Sequence, residues 1–125
     1  MPAKFRSDLK KAVVTKGLDG CLVLYTRKEW DILAPKLAAM PITKANNRAF
    51  SRFMLAGAMD VEVDGQGRII LPEYLRDHAG LKKEVVIAGL YNRLEVWDAG
   101  KWNTYKTATE KQSEDIAEAL DGLGV

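Results

Sequence analysis

Few residues in this chain are of types that do covalent chemistry, and their spacing argues against it. Among its 125 residues there is one histidine, His78, and one cysteine, Cys21. A Ser–His–Asp relay would have to run through His78, yet that residue stands in a short helical stretch that reads as scaffold. No second histidine or cysteine neighbours it to share a metal. It is read as a surface histidine near a helix C-terminus. Cys21, between apolar neighbours in a strand-like run, is read as a small buried hydrophobe, and a lone cysteine excludes an internal disulfide. The carboxylates are flanked by exposed positions, with no apolar pocket to raise a pKa. Gly65-Gln-Gly67 resembles the start of a dinucleotide fingerprint but lacks the third glycine and opens a strand rather than a helix. The expectation is a protein without enzymatic activity, metal, cofactor or small-molecule substrate.

The residues that do stand out are Asp64 and Arg68, four apart across Gly65-Gln66-Gly67. An arginine leaving a glycine turn projects from a rigid element. Its fork matches a phosphate or the O6/N7 edge of guanine in two parallel hydrogen bonds. Asp64 across the turn could hold that fork in place, or the pair could serve only to close the hairpin. Around it, Arg76, Lys82 and Lys83 form a plausible set of contacts to a nucleic-acid backbone, as do Lys4, Arg6, Lys10 and Lys11 near the start of the chain. Arg48 and Arg52, one helical turn apart, are either a solvated face or a further phosphate contact.

Those residues need elements to carry them. Val61 and Val63 alternate with acidic neighbours as a half-buried strand does, and Arg68-Ile-Ile-Leu71 resumes a strand after the turn, giving a hairpin. Pro72 suits a first helical turn and Gly80 a left-handed exit, bracketing a short helix. Glu84 to Trp97 reads as two more strands joined near Asn92. Upstream, Ala12-Val-Val-Thr15 begins a strand, Asp19-Gly20 is a hairpin signal, and the chain returns through Leu22 to Tyr25. Thr26-Arg-Lys-Glu29 is a capping box opening a helix with Trp30, Leu33 and Leu37 on one face; Pro35 should kink or shorten it. Pro41-Ile-Thr43 is expected to cap a second helix bearing Phe50, Phe53 and Met54. Asp98 caps a final helix with Trp102 and Tyr105, whose acidic continuation from Glu110 to Asp121 should fray before a disordered Gly122-Leu-Gly-Val end.

Composition fits an ordinary globular chain, with 47% hydrophobic and 29% charged residues. No apolar run approaches the roughly 18 residues of a membrane helix and the start has no signal-like apolar core, so a cytoplasmic protein is expected. The net charge of +2 hides an asymmetry: residues 1–59 hold 11 Lys/Arg against 4 Asp/Glu, whereas residues 60–125 hold 8 against 13. The positive first half would attract phosphates, although such asymmetry is often plain solvated surface.

The chain also repeats itself. Leu9-Lys-Lys-Ala-Val-Val14 aligns with Leu81-Lys-Lys-Glu-Val-Val86, Gly17-Leu18 with Gly89-Leu90, Leu22 with Leu94 and Trp30 with Trp102, all at an offset of 72. One supersecondary unit is made twice. The expected division is a first repeat over 1–31, a helical insert over 32–58, a second repeat over 59–103, and a C-terminal helix and tail over 104–125. Nothing at the N-terminus matches Asp60 to Ile70. A shortened chain, a start assigned too far downstream or an ancestral loss would each account for that, and the sheet edge beside it is expected to be bare or filled from a neighbour.

Asp64-x-x-x-Arg68 followed by three apolar residues, Pro72, Arg76 and Gly80-Leu81 resembles the AbrB/MazE/MraZ swapped-hairpin group. With two copies, an insert between them, and Gly17-Leu-Asp-Gly-Cys-Leu22 followed by Glu29-Trp30, it is most similar to the MraZ family of bacterial transcriptional regulators. The resemblance covers Met1 to about Trp102. It implies an α+β fold with a double-split β-barrel core and peripheral helices, and a nucleoid-associated protein that binds double-stranded promoter DNA of the division and cell-wall gene cluster, including its own gene. It also implies a ring-like homo-oligomer with an Asp-x-x-x-Arg motif in each copy, of which only the second is present here. A different reading, an antitoxin-like module that pairs with another protein, is favoured by the acidic segment from Glu110 to Asp121.

Overall fold

The computed structural model describes residues 10–123; Lys4 and Arg6 lie outside them. Five strands form one antiparallel sheet in the order β3-β1-β2-β5-β4. They are β1 (Lys11–Lys16), β2 (Leu22–Thr26), β3 (Met59–Glu62), β4 (Val85–Gly89) and β5 (Leu94–Asp98). Among the described residues β3 and β4 are the two edges and no ladder joins them, so the sheet is open where a closed barrel was expected.

The centre of the sheet is buried on both faces, as the near-continuous apolar runs of β1 and β2 require. Ala12, Val14, Leu22, Leu24, Leu94 and Val96 point to one side. There they meet Leu75 and Ala79 of α3 (Glu73–Ala79). Val13, Cys21, Val23, Tyr25 and Trp97 point to the other. That face is covered by Trp30 and Leu37 of α1 (Arg27–Ala38) and Met54 of α2 (Ala45–Ala56). Each fully buried leucine contributes about 1.5–3 kcal/mol. Thr15, the one polar residue wholly buried in β1, donates its hydroxyl to the Met54 carbonyl at 2.7 Å, near the end of α2 where helix carbonyls lack intrahelical donors.

The repeat is visible in the elements. Adding 72 to β2 gives Leu94–Asp98, the span of β5, and adding it to α1 gives nearly all of α4 (Ala99–Lys111). The caps correspond too: the Thr26 hydroxyl accepts from the Glu29 N–H at 3.1 Å, and the Asp98 carboxylate from the Lys101 N–H at 3.3 Å. Trp102 then meets Trp97 edge-on and Tyr105 packs against it at a tilt, with ring centroids 5.4 and 5.0 Å away.

Several local expectations are corrected. Residues 68–71 form no strand. Ile69 and Leu71 pack against the core and Ile70 is 90% exposed, so the alternation of a strand is there without a ladder partner. Pro35 neither stops nor shortens α1, which continues to Ala38; the proline is exposed, where water can satisfy the carbonyl it leaves unpaired. The cap of α2 is Lys44 rather than Thr43, and it has no side-chain bond. Pro72 is the cap of α3 rather than its first residue, whereas Gly80 does take the left-handed exit at φ 60°. The acidic segment is ordered as α5 (Ser113–Ala119), exposed along its length and followed by a turn at Asp121–Leu123.

Candidate nucleic-acid interface

At the centre of the candidate site is the turn after β3. The Asp64 N–H donates to the Arg68 carbonyl at 2.9 Å, and the Gly67 N–H donates to the Asp64 carbonyl at 2.9 Å, with Gly67 at φ 76°. One oxygen of the Asp64 carboxylate accepts from the backbone N–H groups of Gln66 (2.9 Å) and Arg68 (2.8 Å). Its other oxygen accepts from Arg68 Nε at 3.2 Å. A carboxylate therefore replaces the missing ladder as the element that shapes this turn. The bond from the Arg68 N–H, with those from Gln66 and the guanidinium, holds the Asp64 carboxyl below its ordinary value despite some desolvation.

Arg68 is held by one edge only. Among the described residues Nε is the one guanidinium nitrogen with a protein acceptor, and the side chain is 71% exposed. The two terminal nitrogens have no acceptor among the described residues, an arrangement suited to a planar anion or a base edge. Lys10 and Lys11 lie beside it: Lys11 is paired with Glu62, and the Lys10 carbonyl accepts from the Val63 N–H at 3.3 Å. Both are exposed.

The other candidates are placed elsewhere. Register puts Val85 opposite Asp98 and Leu24 opposite Leu94, so Lys82 and Lys83, just before β4, stand at the far end of the sheet from Asp64. Arg76 is exposed on α3. Arg48 donates to the Ile42 carbonyl at 2.6 Å and so tethers the loop before α2, while Arg52 is exposed one turn later. Arg27, not singled out from sequence, bonds Asp60 across the sheet at 3.0 Å and Asp31 on its own helix at 3.2 Å. The registers of β1 with β2 and with β3 together bring that pair into reach.

The residues first considered for covalent chemistry are structural. Cys21 is fully buried and donates to the Leu18 carbonyl at 3.2 Å; burial, then the nearby Glu95 carboxylate, push its thiol up to about 12. His78 is half-buried rather than on the surface, edge-on to Phe53 at 5.7 Å with Nε2 3.4 Å from the Gly17 carbonyl oxygen. Among the described residues no group of three His, Cys, Asp or Glu is placed to hold a metal ion. A cleft of about 200 Å³ between β2, α1 and the β4–β5 loop is lined by Tyr25, Ile32, Lys36 and Arg93, and it does not include His78. No helix among the described residues is long and apolar enough to cross a membrane.

The chain is thus a two-repeat α+β sheet protein with an exposed arginine on a carboxylate-shaped turn and with its histidine and cysteine packed into scaffold. Its family is shown by comparison with known sequences: the chain belongs to the MraZ family. The profile of that family, described as "MraZ protein, putative antitoxin-like", matches twice, over residues 1–53 and 54–123. A relative named transcriptional regulator MraZ from Caldanaerobacter subterraneus subsp. tengcongensis is 47% identical over all of this chain and 88% of its own length. One of the same name from Halothermothrix orenii is 49% identical over the same shares. Another, from Limosilactobacillus reuteri, is 50% identical over 97% of this chain and 86% of its own. These relatives are named as regulators, not as enzymes.

Proposed function

We propose that this protein is a sequence-specific DNA-binding transcriptional regulator in which Arg68, braced by Asp64, contacts the duplex. In the full reading it acts in the nucleoid on the promoter of the division and cell-wall gene cluster, including its own gene. It does so as a ring-like homo-oligomer whose protomers close their sheets into double-split barrels. The observation that carries the reading is the one-sided grip on Arg68, which leaves two guanidinium nitrogens without a partner among the described residues on an exposed turn. Family membership agrees with it. One such turn gives modest affinity; repeating it around an assembly raises the effective concentration of each further contact, so spaced short sites are held tightly. Lys10 and Lys11 add backbone contacts beside it, and Lys82, Lys83 and Arg76 more remote ones. The test is Arg68→Ala in fluorescence anisotropy with promoter repeats at fixed salt: affinity falls while the assembled mass stays the same. An unchanged isotherm refutes the role.

A second reading rests on α5. Ile116 and Leu120, four residues apart, are 40% and 38% exposed beside Glu114, Asp115, Glu118 and Asp121. An acidic helix with an apolar pair suits a basic partner protein in an antitoxin-like complex. The mass of the species purified from the native host separates the two: one polypeptide for the regulator, a stoichiometric second chain for the module.

A further inference from the structure

The loop between β4 and β5 carries a side chain that its backbone disfavours. The Leu90 N–H donates to the Arg93 carbonyl at 2.8 Å, and the Asn92 N–H donates to the Leu90 carbonyl at 2.8 Å, which makes Tyr91 the centre of a γ-turn. Its φ is 69°. The positive-φ form of that turn is the rare and strained one, and a bulky aromatic is among the least suited residues for it. Nor does packing explain the choice, for Tyr91 is 106% exposed. The equivalent loop of the first repeat solves the same problem with Asp19 and Gly20, both at positive φ and both of types that accept it. An exposed aromatic kept in a strained turn, where its counterpart is a favourable Asp-Gly, points to a side chain kept for contact with something outside the chain.

The register says where that contact lies. Gly89 is opposite Leu94, which is level with Leu24 and, through Val14, with Met59. The Tyr91 loop thus projects from the same end of the sheet as the Asp64–Arg68 turn, three to four strands across. Tyr91 is two residues beyond Gly89 and Asp64 five beyond Met59, so at about 4.8 Å per strand and about 3.3 Å per residue the separation is roughly 17–22 Å. That exceeds the roughly 12 Å width of the major groove, so the two elements can reach phosphates on either side of it. The loop has the chemistry for a phosphate or sugar: a free phenol, no acidic residue between Val85 and Leu94, and Arg93, whose guanidinium donates to the Asn92 side-chain oxygen at 3.0 Å. The first-repeat loop, at the opposite end, carries the acidic Asp19 instead.

We infer that the Leu90–Arg93 loop is a second DNA-contacting element, with Tyr91 and Arg93 touching the backbone of the duplex that Arg68 engages. This rests on the DNA-binding reading above and extends it to a residue the Asp-x-x-x-Arg motif does not include. The experiment compares the full chain with its Tyr91→Asn and Arg68→Ala variants, by anisotropy with a labelled promoter-repeat duplex, alongside thermal melting and light scattering. Asparagine accepts the turn, so Tyr91→Asn raises the melting temperature by about 2–4 °C. At the same time it weakens binding about tenfold, the loss of one hydrogen bond to a charged oxygen. Equal affinity of the two proteins, with Arg68→Ala weakened, overturns the inference and leaves the DNA reading standing. A drop in assembled mass for Tyr91→Asn also overturns it, assigning the loop to contact between copies. No binding by any of the proteins overturns both.

Discussion

Two settings for a cation recur in the sheet, one packed against the protein and one braced on a turn and left exposed. At the end where β4 begins, Lys82 and Lys83 are exposed but other positive groups are packed against the protein itself. The Lys101 ammonium lies so close over Gly80 that an added Cβ there would come within 2.8 Å of it. Lys16 sits 5.8 Å from the ring centre of Phe53. At the end where β3 finishes, Arg68 is gripped on one edge and otherwise left to solvent, with Lys10 and Lys11 beside it. The difference is one of use. A cation packed over a ring or a glycine is committed to the fold, while a cation braced on a turn and left half-exposed is open to a ligand.

Mutations on the two sides therefore separate affinity from stability. The largest effect expected is on binding: Arg68→Ala lowers affinity for promoter DNA about 10- to 100-fold, and its melting curve stays close to that of the parent. The backbone bonds to Asp64 survive that change, so the turn persists. On the other side, Gly80→Ala costs about 1–3 kcal/mol of stability, because the residue has φ 60° and its Cβ would press on Lys101. Chemical denaturation measures the loss, and affinity extrapolated to the folded fraction does not move. A smaller effect comes from replacing Lys10 and Lys11 with alanine: binding weakens several-fold, and the slope of log affinity against log salt becomes shallower by about two. The smallest is a pH effect. Asp64 has a lowered pKa, so what its ionised form adds to the turn is fully present above the ordinary value of 3.8 and is lost as pH falls through the folded-state value. Protection of the Gln66 and Arg68 amides, taken relative to their intrinsic exchange rates, holds down to about pH 5 and falls only in stronger acid; Asp64→Ala removes it throughout.

Much of this was legible before any coordinates. The offset of 72 and the two hairpins followed from residues whose local chemistry is decisive, such as Asp19-Gly20, Thr26 with Glu29, and Gly80. The Asp64–Arg68 pair was legible for the same reason, since a short carboxylate four residues before an arginine across two glycines closes on itself. What escaped depended on partners distant in sequence. Residues 68–71 have the pattern of a strand, but a strand needs a neighbour, and none of the described residues supplies one. Pro35 is tolerated because its face of α1 is exposed, a fact of packing. The division of the basic residues between two ends of the sheet came only from register, as did the bond from Arg27 to Asp60. The strain at Tyr91 was hidden because nothing in Leu-Tyr-Asn-Arg announces a positive φ.

One measurement bears most directly on the central claim that the half-free arginine is the recognition element. It is anisotropy of promoter-repeat DNA with the parent chain and with Arg68→Ala across a salt series, both checked for the same assembled mass. The account predicts tight, steeply salt-dependent binding by the parent, and for the variant a weaker isotherm at every salt concentration. Superimposable isotherms for two equally assembled proteins would contradict it, and would leave Arg68 as no more than the partner that closes the Asp64 turn.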